Sequence, residues 1–216
     1  MSWEWQALCS ASGKPGTSSH EAGGAVYQLV ETTEQQQEVI SFWRQQFEEK
    51  GAYLRDRPEE AINLHSFVYC ARVENRIIAA CRMTRKTECG WEVSDGLPDA
   101  IAQQIENNFS ATDFLQLNRV SVESGSRKLN IHQSLFLYCA LWLRMHTGYT
   151  GYFAVCQPAL IKLYKGLGAN VLTPRPFPIA GRGERHYYLI AGHVSEAIER
   201  LCAVVGNRFC RAEDIR

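Results

Sequence analysis

The spacing of apolar residues predicts a chain of alternating strands and helices. Runs of alternating or continuous apolar residues predict β-strands at residues 26–31, 66–73, 76–84, 114–122, 152–156, 171–173 and 187–191. Helical spacing, bounded by capping residues or glycines, predicts α-helices from Thr32 or Thr33 to Gly51, at 98–107, at 130–147, from Pro158 to Gly166, and from Ser195 to Val204. This order predicts a mixed α/β sheet with helices on both faces.

The composition divides the chain into a short arm and one domain. Residues 9–25 are rich in serine, glycine and alanine, so residues 1–25 are expected to form a flexible N-terminal arm. Residues 26–216 are expected to form a single domain, because 216 residues with 45% hydrophobic and 21% charged residues match one compact unit. Within it, Glu74 and Asn75 separate two β-rich runs and predict a two-residue hairpin turn.

Charge and cysteine usage exclude several classes of protein. The formal net charge is zero, so no global field attracts DNA or an anionic membrane. The most apolar helical stretch, 131–145, is shorter than the roughly 20 residues of a membrane span. No pair of the eight cysteines has Cys-x-x-Cys spacing, and the six histidines form no ligand motif. A reduced, cytoplasmic protein without a metal site is therefore expected.

The strongest functional signal is the segment 159–169, ALIKLYKGLGA. It resembles the fourth helix of GNAT acyltransferases, in which a tyrosine protonates the departing thiolate. The resemblance implies a GNAT fold, with a mixed, mostly antiparallel twisted sheet, and gives Tyr164 the role of general acid. A phenol suits that role because a thiolate expelled into a partly dry cleft needs a nearby proton donor. The alternative is that Leu163, Tyr164 and Leu167 only form a stripe facing the core.

The long strand at 114–122 and the turn after it resemble the donor site of the same family. The resemblance implies that the backbone at Val120 and Val122 pairs with a pantetheine arm, and that the next helix N-terminus binds phosphate beside Arg127 and Lys128. Residues 126–131 lack the glycines that this family usually has in the turn. That departure favours an acyl carrier protein over coenzyme A as donor, because the carrier presents one phosphate. The alternative is a solvated basic turn.

Further segments resemble acyl-homoserine-lactone synthases and long-chain N-acyl amino acid synthases. They are FWRQQFEEKGAY at 42–53, ACRMT at 80–84, Leu97-Pro98, and QLNRVSV at 116–122. The resemblance implies that Arg44, Arg82 and Arg119 shape the acceptor side of the cleft, where a planar guanidinium can hold a carboxylate. Phe47, with Trp43, Phe109 and Phe114, is expected to line an acyl tunnel. Ordinary surface arginines and core aromatics are the alternative.

One residue departs from this second family in a way that affects the mechanism. Its strand glutamate, proposed to accept the proton of the amine, is Gln116 here. An amide is no base at neutral pH, so Gln116 is expected to orient the amine or a water molecule. His132, in the first turn of the long helix, is the candidate base, and Glu123 acting through water is the second.

These features predict an enzyme that moves a medium or long fatty acyl group to a primary amine. The donor is expected to be an acyl carrier protein, or else acyl-coenzyme A, with no permanently bound cofactor. The expected acceptor is an amino acid. A lysine or ornithine side chain of a peptide natural product is the alternative acceptor. A catalytically silent GNAT domain that serves as a binding module is the alternative outside the enzymes.

Overall fold

The computed structural model describes residues 19–22, 24–49, 62–88, 90–94, 96–110 and 112–206, with the backbone alone at 19–22, 127–129 and 206. The strands are β1 Ser19–Ala22, β2 Ala25–Leu29, β3 Ser66–Val73, β4 Arg76–Thr84, β5 Phe114–Val122, β6 Gly151–Cys156, β7 Asn170–Val171, β8 Phe177–Pro178 and β9 His186–His193. The α-helices are α1 Thr33–Glu48, α2 Asp99–Phe109, α3 Ile131–His146, α4 Ile161–Gly166 and α5 Val194–Leu201. Short 3₁₀ turns span Glu92–Ser94, Ser124–Leu129 and Pro158–Leu160, and a π-helical turn spans Cys202–Gly206.

The strands form one sheet in the order β1-β2-β3-β4-β5-β6-β9-β7, with β8 paired to β9. Every neighbouring pair is antiparallel except β5 with β6. The parallel pair is joined by α3, as parallel strands require a crossover connection. The predicted mixed and mostly antiparallel sheet is therefore confirmed.

The two faces of the sheet carry separate helices. Alternate residues of each strand point to opposite faces. On one face, Leu115, Leu117 and Ala154 pack in a core cluster with residues of α3 and α5. On the other face, strands β3 and β4 pack against α1, and β6 packs against α2 through Phe153. We call these the α3 face and the α1 face.

Strands β5 and β6 are paired only where they begin. The three residue pairs are Phe114 with Gly151, Leu115 with Tyr152, and Gln116 with Phe153. Glycine at 151 lets the ring of Phe114 lie against the backbone, because a β-carbon there would lie 2.3 Å from the ring and force it to move. Beyond Gln116 and Phe153 the strands separate and leave a wedge between them.

A β-bulge in β5 lies at the start of this wedge. Ala80 of β4 pairs with Ser121 and Arg82 pairs with Asn118, so one residue of β4 opposes two of β5. One of those two, Arg119, has a φ of 53°, in the left-handed region. A bulge bends its strand and redirects backbone groups, here where β5 leaves β6.

Local signals in the sequence place most elements correctly. Strands β3, β4 and β5 have the predicted bounds, and Glu74 and Asn75 have φ values of 48° and 63°, as a type I′ hairpin turn requires. Thr32 caps α1 in a capping box with Gln35. Gly51, predicted to end this helix, lies outside the described residues.

Three expectations about the ends of the chain and its last elements are wrong. Part of the expected flexible arm, Ser19–Ala22, is strand β1, which pairs with β2 through a turn containing Gly24 at φ 77°; residues 1–18 lie outside the described residues. Ser195 does not cap α5, because β9 runs directly into the helix and His193 is the N-cap. Strand β8, too short for a periodic signal, was missed.

Five described cysteines are free thiols, namely Cys70, Cys81, Cys139, Cys156 and Cys202. Burial raises the pKa of Cys70 to about 11 and that of Cys156 to about 12. Both thiols are therefore protonated at neutral pH and behave as small apolar side chains. Among the described helices, none is long and apolar enough to cross a membrane.

Candidate active site

The wedge between β5 and β6 leaves one edge of β5 without a strand partner. Residues 117–122 follow the last β6 pair, while the opposite edge of this segment pairs with β4. Val120 and Val122 lie in it, with half-buried side chains packed on the α3 face. An unpaired strand edge offers backbone N–H and C=O groups to an extended ligand that itself contains amides.

The turn after β5 leads to the N-terminus of α3. It is a 3₁₀ turn, Ser124–Leu129, followed by Asn130 at φ 54°. The backbone N–H of Ser126 donates to the carbonyl of Glu123 at 3.0 Å. Arg127 and Lys128 belong to this turn, but their side chains lie outside the described residues.

His132 lies in the first turn of α3 and is partly buried. Burial lowers the pKa of His132 below its ordinary value, because desolvation disfavours the imidazolium. The ring is therefore neutral at pH 7 and can accept a proton.

Tyr164 lies in the last turn of α4, on the α3 face of the sheet. It is only 4% exposed, and its ring lies 6.2 Å from that of Phe136, centroid to centroid. Burial raises the pKa of Tyr164 well above its ordinary value, and the nearby Cys156 and Tyr152 add to the shift. The phenol therefore remains protonated at neutral pH and can only act as a proton donor.

A buried charged cluster occupies the α1 face, centred on Arg82, which is 0% exposed. Its Nε donates to Asn118 Oδ1 at 2.8 Å, and its Nη1 donates to Asn63 Oδ1 at 3.0 Å. Its Nη2 lies 2.9 Å from Oε1 of Glu92. Arg119 joins the cluster at the bulge, with its Nη2 3.5 Å from the same Glu92 oxygen.

Gln116 attaches the same cluster to strand β5. Its side chain is buried, with Oε1 accepting from the backbone N–H of Val93 at 3.1 Å and Nε2 donating to Glu92 Oε2 at 3.2 Å. Both ends of the amide are thus used to hold the Glu92–Ser94 turn against β5. Its side chain thus contacts a carboxylate and a backbone amide, and its expected role in orienting the amine or a water molecule stays a prediction.

Helix α1 contributes two aromatic rings to the arginines. The guanidinium of Arg82 lies 5.6 Å from the ring centre of Trp43, and that of Arg119 lies 5.7 Å from that of Phe47. These are cation–π distances. Arg44 is exposed on α1 and, among the described residues, contacts no member of the cluster; its part in acceptor binding stays a prediction.

Several solved structures of N-acyltransferases resemble the chain. FeeM, an N-acyl amino acid synthase from uncultured soil microbes, aligns with a TM-score of 0.63 and 11% identity over 82% of this chain and 94% of its own. MesI, a CoA-dependent acyl-homoserine lactone synthase, aligns with a TM-score of 0.54 and 14% identity over 83% and 94%. The ribosomal-protein-S18-alanine N-acetyltransferase of Escherichia coli aligns with a TM-score of 0.53 and 12% identity over 79% and 94%.

The chain has the GNAT fold. No protein-family model and no curated protein sequence matches it. The wedge, the bulged strand and the helix that carries Tyr164 are thus parts of this fold.

Sequence reasoning missed Glu92, the residue that connects most of the site. It is 10% exposed in its side chain and contacts Arg82, Arg119 and Gln116. The only local signal is its place between two buried apolar residues, Trp91 and Val93. Its partners are at least ten residues away in the chain, so no local pattern identifies it. Among the described residues, no group of histidines, cysteines and carboxylates could hold a metal ion.

A small, partly open apolar cavity lies on the α3 face. Its walls come from β4, β5, β6, α3, α5 and the residue after α4, and they are Met83, Leu117, Phe136, Cys139, Ala140, Leu143, Tyr152, Leu167, Val194, Ala197 and Leu201. The aromatic residues expected to line a tunnel lie elsewhere. Phe109 stacks on Phe153 at 4.5 Å on the α1 face, and Phe47 packs against Arg119.

Replacing Arg82 with alanine is expected to lower the free energy of unfolding by about 3–5 kcal/mol, because it leaves a buried carboxylate without its main partner. The control is Lys86→Ala, which removes an exposed ion pair with Glu106 and should cost at most about 1 kcal/mol. Urea denaturation of both variants measures the difference. Equal losses of unfolding free energy in the Arg82→Ala and Lys86→Ala variants would contradict a structural role for the buried pair.

Proposed function

We propose that this protein is an N-acyltransferase that moves a medium or long fatty acyl group from a phosphopantetheine thioester to a primary amine. The observation that carries the proposal is the wedge between β5 and β6, with the phenol of Tyr164 on one face and the Glu92–Arg82–Arg119 cluster on the other. A thioester in the wedge meets a proton donor on one side and a polar acceptor site on the other.

The reaction follows from these groups. The neutral amine attacks the thioester carbonyl, a C–N bond forms, and the C–S bond breaks. Tyr164 gives its proton to the departing thiolate. The nitrogen loses one proton, so the overall proton count is balanced. His132 in its neutral form is the candidate base that receives this proton.

An acyl carrier protein is the donor that we favour. In the turn before α3, the N–H of Ser126 is already bonded to Glu123, which leaves fewer free donors than a glycine-rich phosphate loop offers. Arg127 and Lys128 suit the single phosphate of a carrier protein. The unpaired edge at Val120 and Val122 suits the amides of the pantetheine arm.

The small apolar cavity on the α3 face is where we place the start of the fatty acyl chain. It lies among apolar side chains, and Tyr152 and Leu167 of its wall flank the core region that holds Tyr164. Burial of each methylene contributes about 0.8 kcal/mol. The cavity is small, so a long chain enters only if its lining residues move apart.

An amino acid is the acceptor that we favour. A carboxylate on the acceptor would meet Arg119, whose guanidinium can donate two parallel hydrogen bonds. The N-acyl amino acid synthase FeeM, which shares the fold, agrees with this choice. Incubation with acyl carrier proteins of several chain lengths and a panel of amino acids, followed by mass spectrometry, tests the proposal. Failure to form any amide would overturn it.

The variant Tyr164→Phe is expected to keep its fold but to slow transfer about 10²-fold, because the ring still packs while the acidic proton is lost. The control is Tyr138→Phe, which removes a phenol of the same core cluster that packs against Tyr27 and Tyr69. Single-turnover rates with a fixed donor measure both. An unchanged chemical step in Tyr164→Phe would remove the phenol from the mechanism.

The double variant Arg127→Ala with Lys128→Ala is expected to weaken binding of the carrier protein at low salt, and the loss should shrink as salt rises. Exposed charges are screened beyond about 8 Å at physiological ionic strength. The wild-type enzyme should prefer the carrier protein to the matching acyl-coenzyme A. The control is Lys86→Ala with Arg200→Ala, since this double variant also removes two positive charges but at positions outside the turn before α3. Equal efficiency with acyl-coenzyme A would contradict the preference.

The rate of transfer is expected to rise with pH in two steps. The first lies below the ordinary histidine value of about 6.5, because burial lowers the pKa of His132 and the base form appears above it. The second follows the amine, whose pKa is near 10 for a lysine-like acceptor. His132→Ala should remove only the first step. A flat profile from pH 6 to 9, with chemistry rate-limiting, would exclude this scheme.

A further inference from the structure

We propose that Glu92 is the carboxylate that receives the acceptor amine. In this chain the strand position that related synthases fill with glutamate holds Gln116, and the negative charge comes instead from the turn before α2. The inference rests on the proposed acyltransferase function and adds a residue that touches the substrate.

The Glu92 carboxylate is held rigidly. Its neighbours Trp91 and Val93 are buried, and the Trp91 ring contacts that of Phe153 edge-on at 4.8 Å. The backbone of Val93 is bonded to Gln116. A group that must meet a substrate atom works best when packing fixes it in advance. Glu92 is therefore held in place by its two buried neighbours in the chain and by Gln116 of β5.

Glu92 contacts β5 residues on both sides of the point where β5 separates from β6. Gln116 is the last β5 residue paired with β6, and Arg119 is the bulge residue. Glu92 touches both. Its carboxylate therefore lies on the α1 face at the start of the wedge, next to the arginine that bonds to Asn118. We place the thioester carbonyl in the wedge beside this carboxylate.

Glu92 and Tyr164 lie on opposite faces of the sheet. Leu115 and Leu117 belong to the α3-face core together with Tyr164. Gln116, between them, points to the α1 face because side chains alternate along a strand, and Glu92 lies there with it. The amine thus approaches from the α1 face, and the sulfur leaves toward the α3 face.

The chemistry requires an anion on the side of the amine. When the neutral amine attacks, its nitrogen becomes positively charged, and a fixed carboxylate stabilises that charge. Arg82 and Arg119 contact Oε1 of Glu92, whereas Gln116 contacts Oε2. We assign Oε2 as the acceptor of the amine N–H, since a carboxylate oxygen can accept more than one hydrogen bond. Gln116 is then a positioning residue and needs no charge.

The experiment uses the full chain, with an acyl carrier protein thioester and an amine acceptor. Three variants are compared with the wild type: Glu92→Gln, the exchange Glu92→Gln with Gln116→Glu, and the control Glu106→Gln in an exposed ion pair. The kcat and the KM of donor and acceptor are measured for each, together with the thermal midpoint. Binding of n-butylamine to the protein without donor is measured by calorimetry.

Glu92→Gln is expected to lower kcat/KM for the amine about 10²-fold, with the donor KM within about twofold of wild type. The exchange variant should recover at least about tenfold in kcat/KM, because the two side-chain ends are 3.2 Å apart and the carboxylate moves by about one hydrogen-bond length. Butylamine should bind at least about tenfold more weakly to Glu92→Gln than to wild type. Glu106→Gln should match wild type.

Retained activity in a folded Glu92→Gln variant would overturn the assignment. Equal losses of kcat/KM for the donor and for the acceptor would also overturn it. If Glu92→Gln does not fold, the exchange variant decides, and a folded but inactive exchange variant counts against Glu92. A wild-type enzyme that forms no amide refutes the proposed function instead. In that case, butylamine binding that depends on Glu92 still supports the amine site, and binding that does not depend on it refutes the site.

Discussion

The partial pairing of β5 and β6 is the constraint on which the site depends. Three residue pairs hold the strands together, and beyond Gln116 and Phe153 each strand keeps one free edge. Unpaired strand edges are a liability that proteins normally cover. Here the sheet continues on both sides of the wedge, through β4 and β9, so the opening lies inside the sheet and not at its border. Such an opening is protected from pairing with the strand edges of other chains.

The buried ion pair of Arg82 and Glu92 maintains one side of this opening. It joins β4 to the Glu92–Ser94 turn, and the contacts of the same arginine reach β5 through Asn118 and α1 through Trp43. A buried pair of this kind adds little net stability over apolar packing, because both charges lose their hydration. Its retention is better explained by the fixed geometry it imposes. The arginine orients the carboxylate, and the carboxylate in turn holds Arg119 at the bulge.

Local patterns predict the frame of the fold and identify one candidate residue of the site, whose role stays a prediction. Alternating apolar residues, the Glu74-Asn75 turn and the Thr32 cap are determined within a few residues, and all are observed. Tyr164 was identified because a helix motif surrounds it. Strand β1 was missed because its partner strand, and not its own composition, makes it a strand. Glu92 was missed for the same reason, since its partners are brought to it only by tertiary folding.

The contact between Gln116 and Glu92 places a polar side chain of β5 next to a carboxylate from another element. The side-chain ends of Gln116 and Glu92 meet at 3.2 Å. A charge moved from one residue to the other therefore shifts by about one hydrogen-bond length. Arg82 and Arg119 contact Oε1 of Glu92 and Gln116 contacts Oε2, so a charge moved to position 116 lies on the side of the carboxylate away from the arginines. Identities of 11% and 14% to FeeM and MesI accompany a shared fold. The fold therefore sets the backbone frame of the wedge, whereas the charges beside it depend on the contacts that this chain's own residues make.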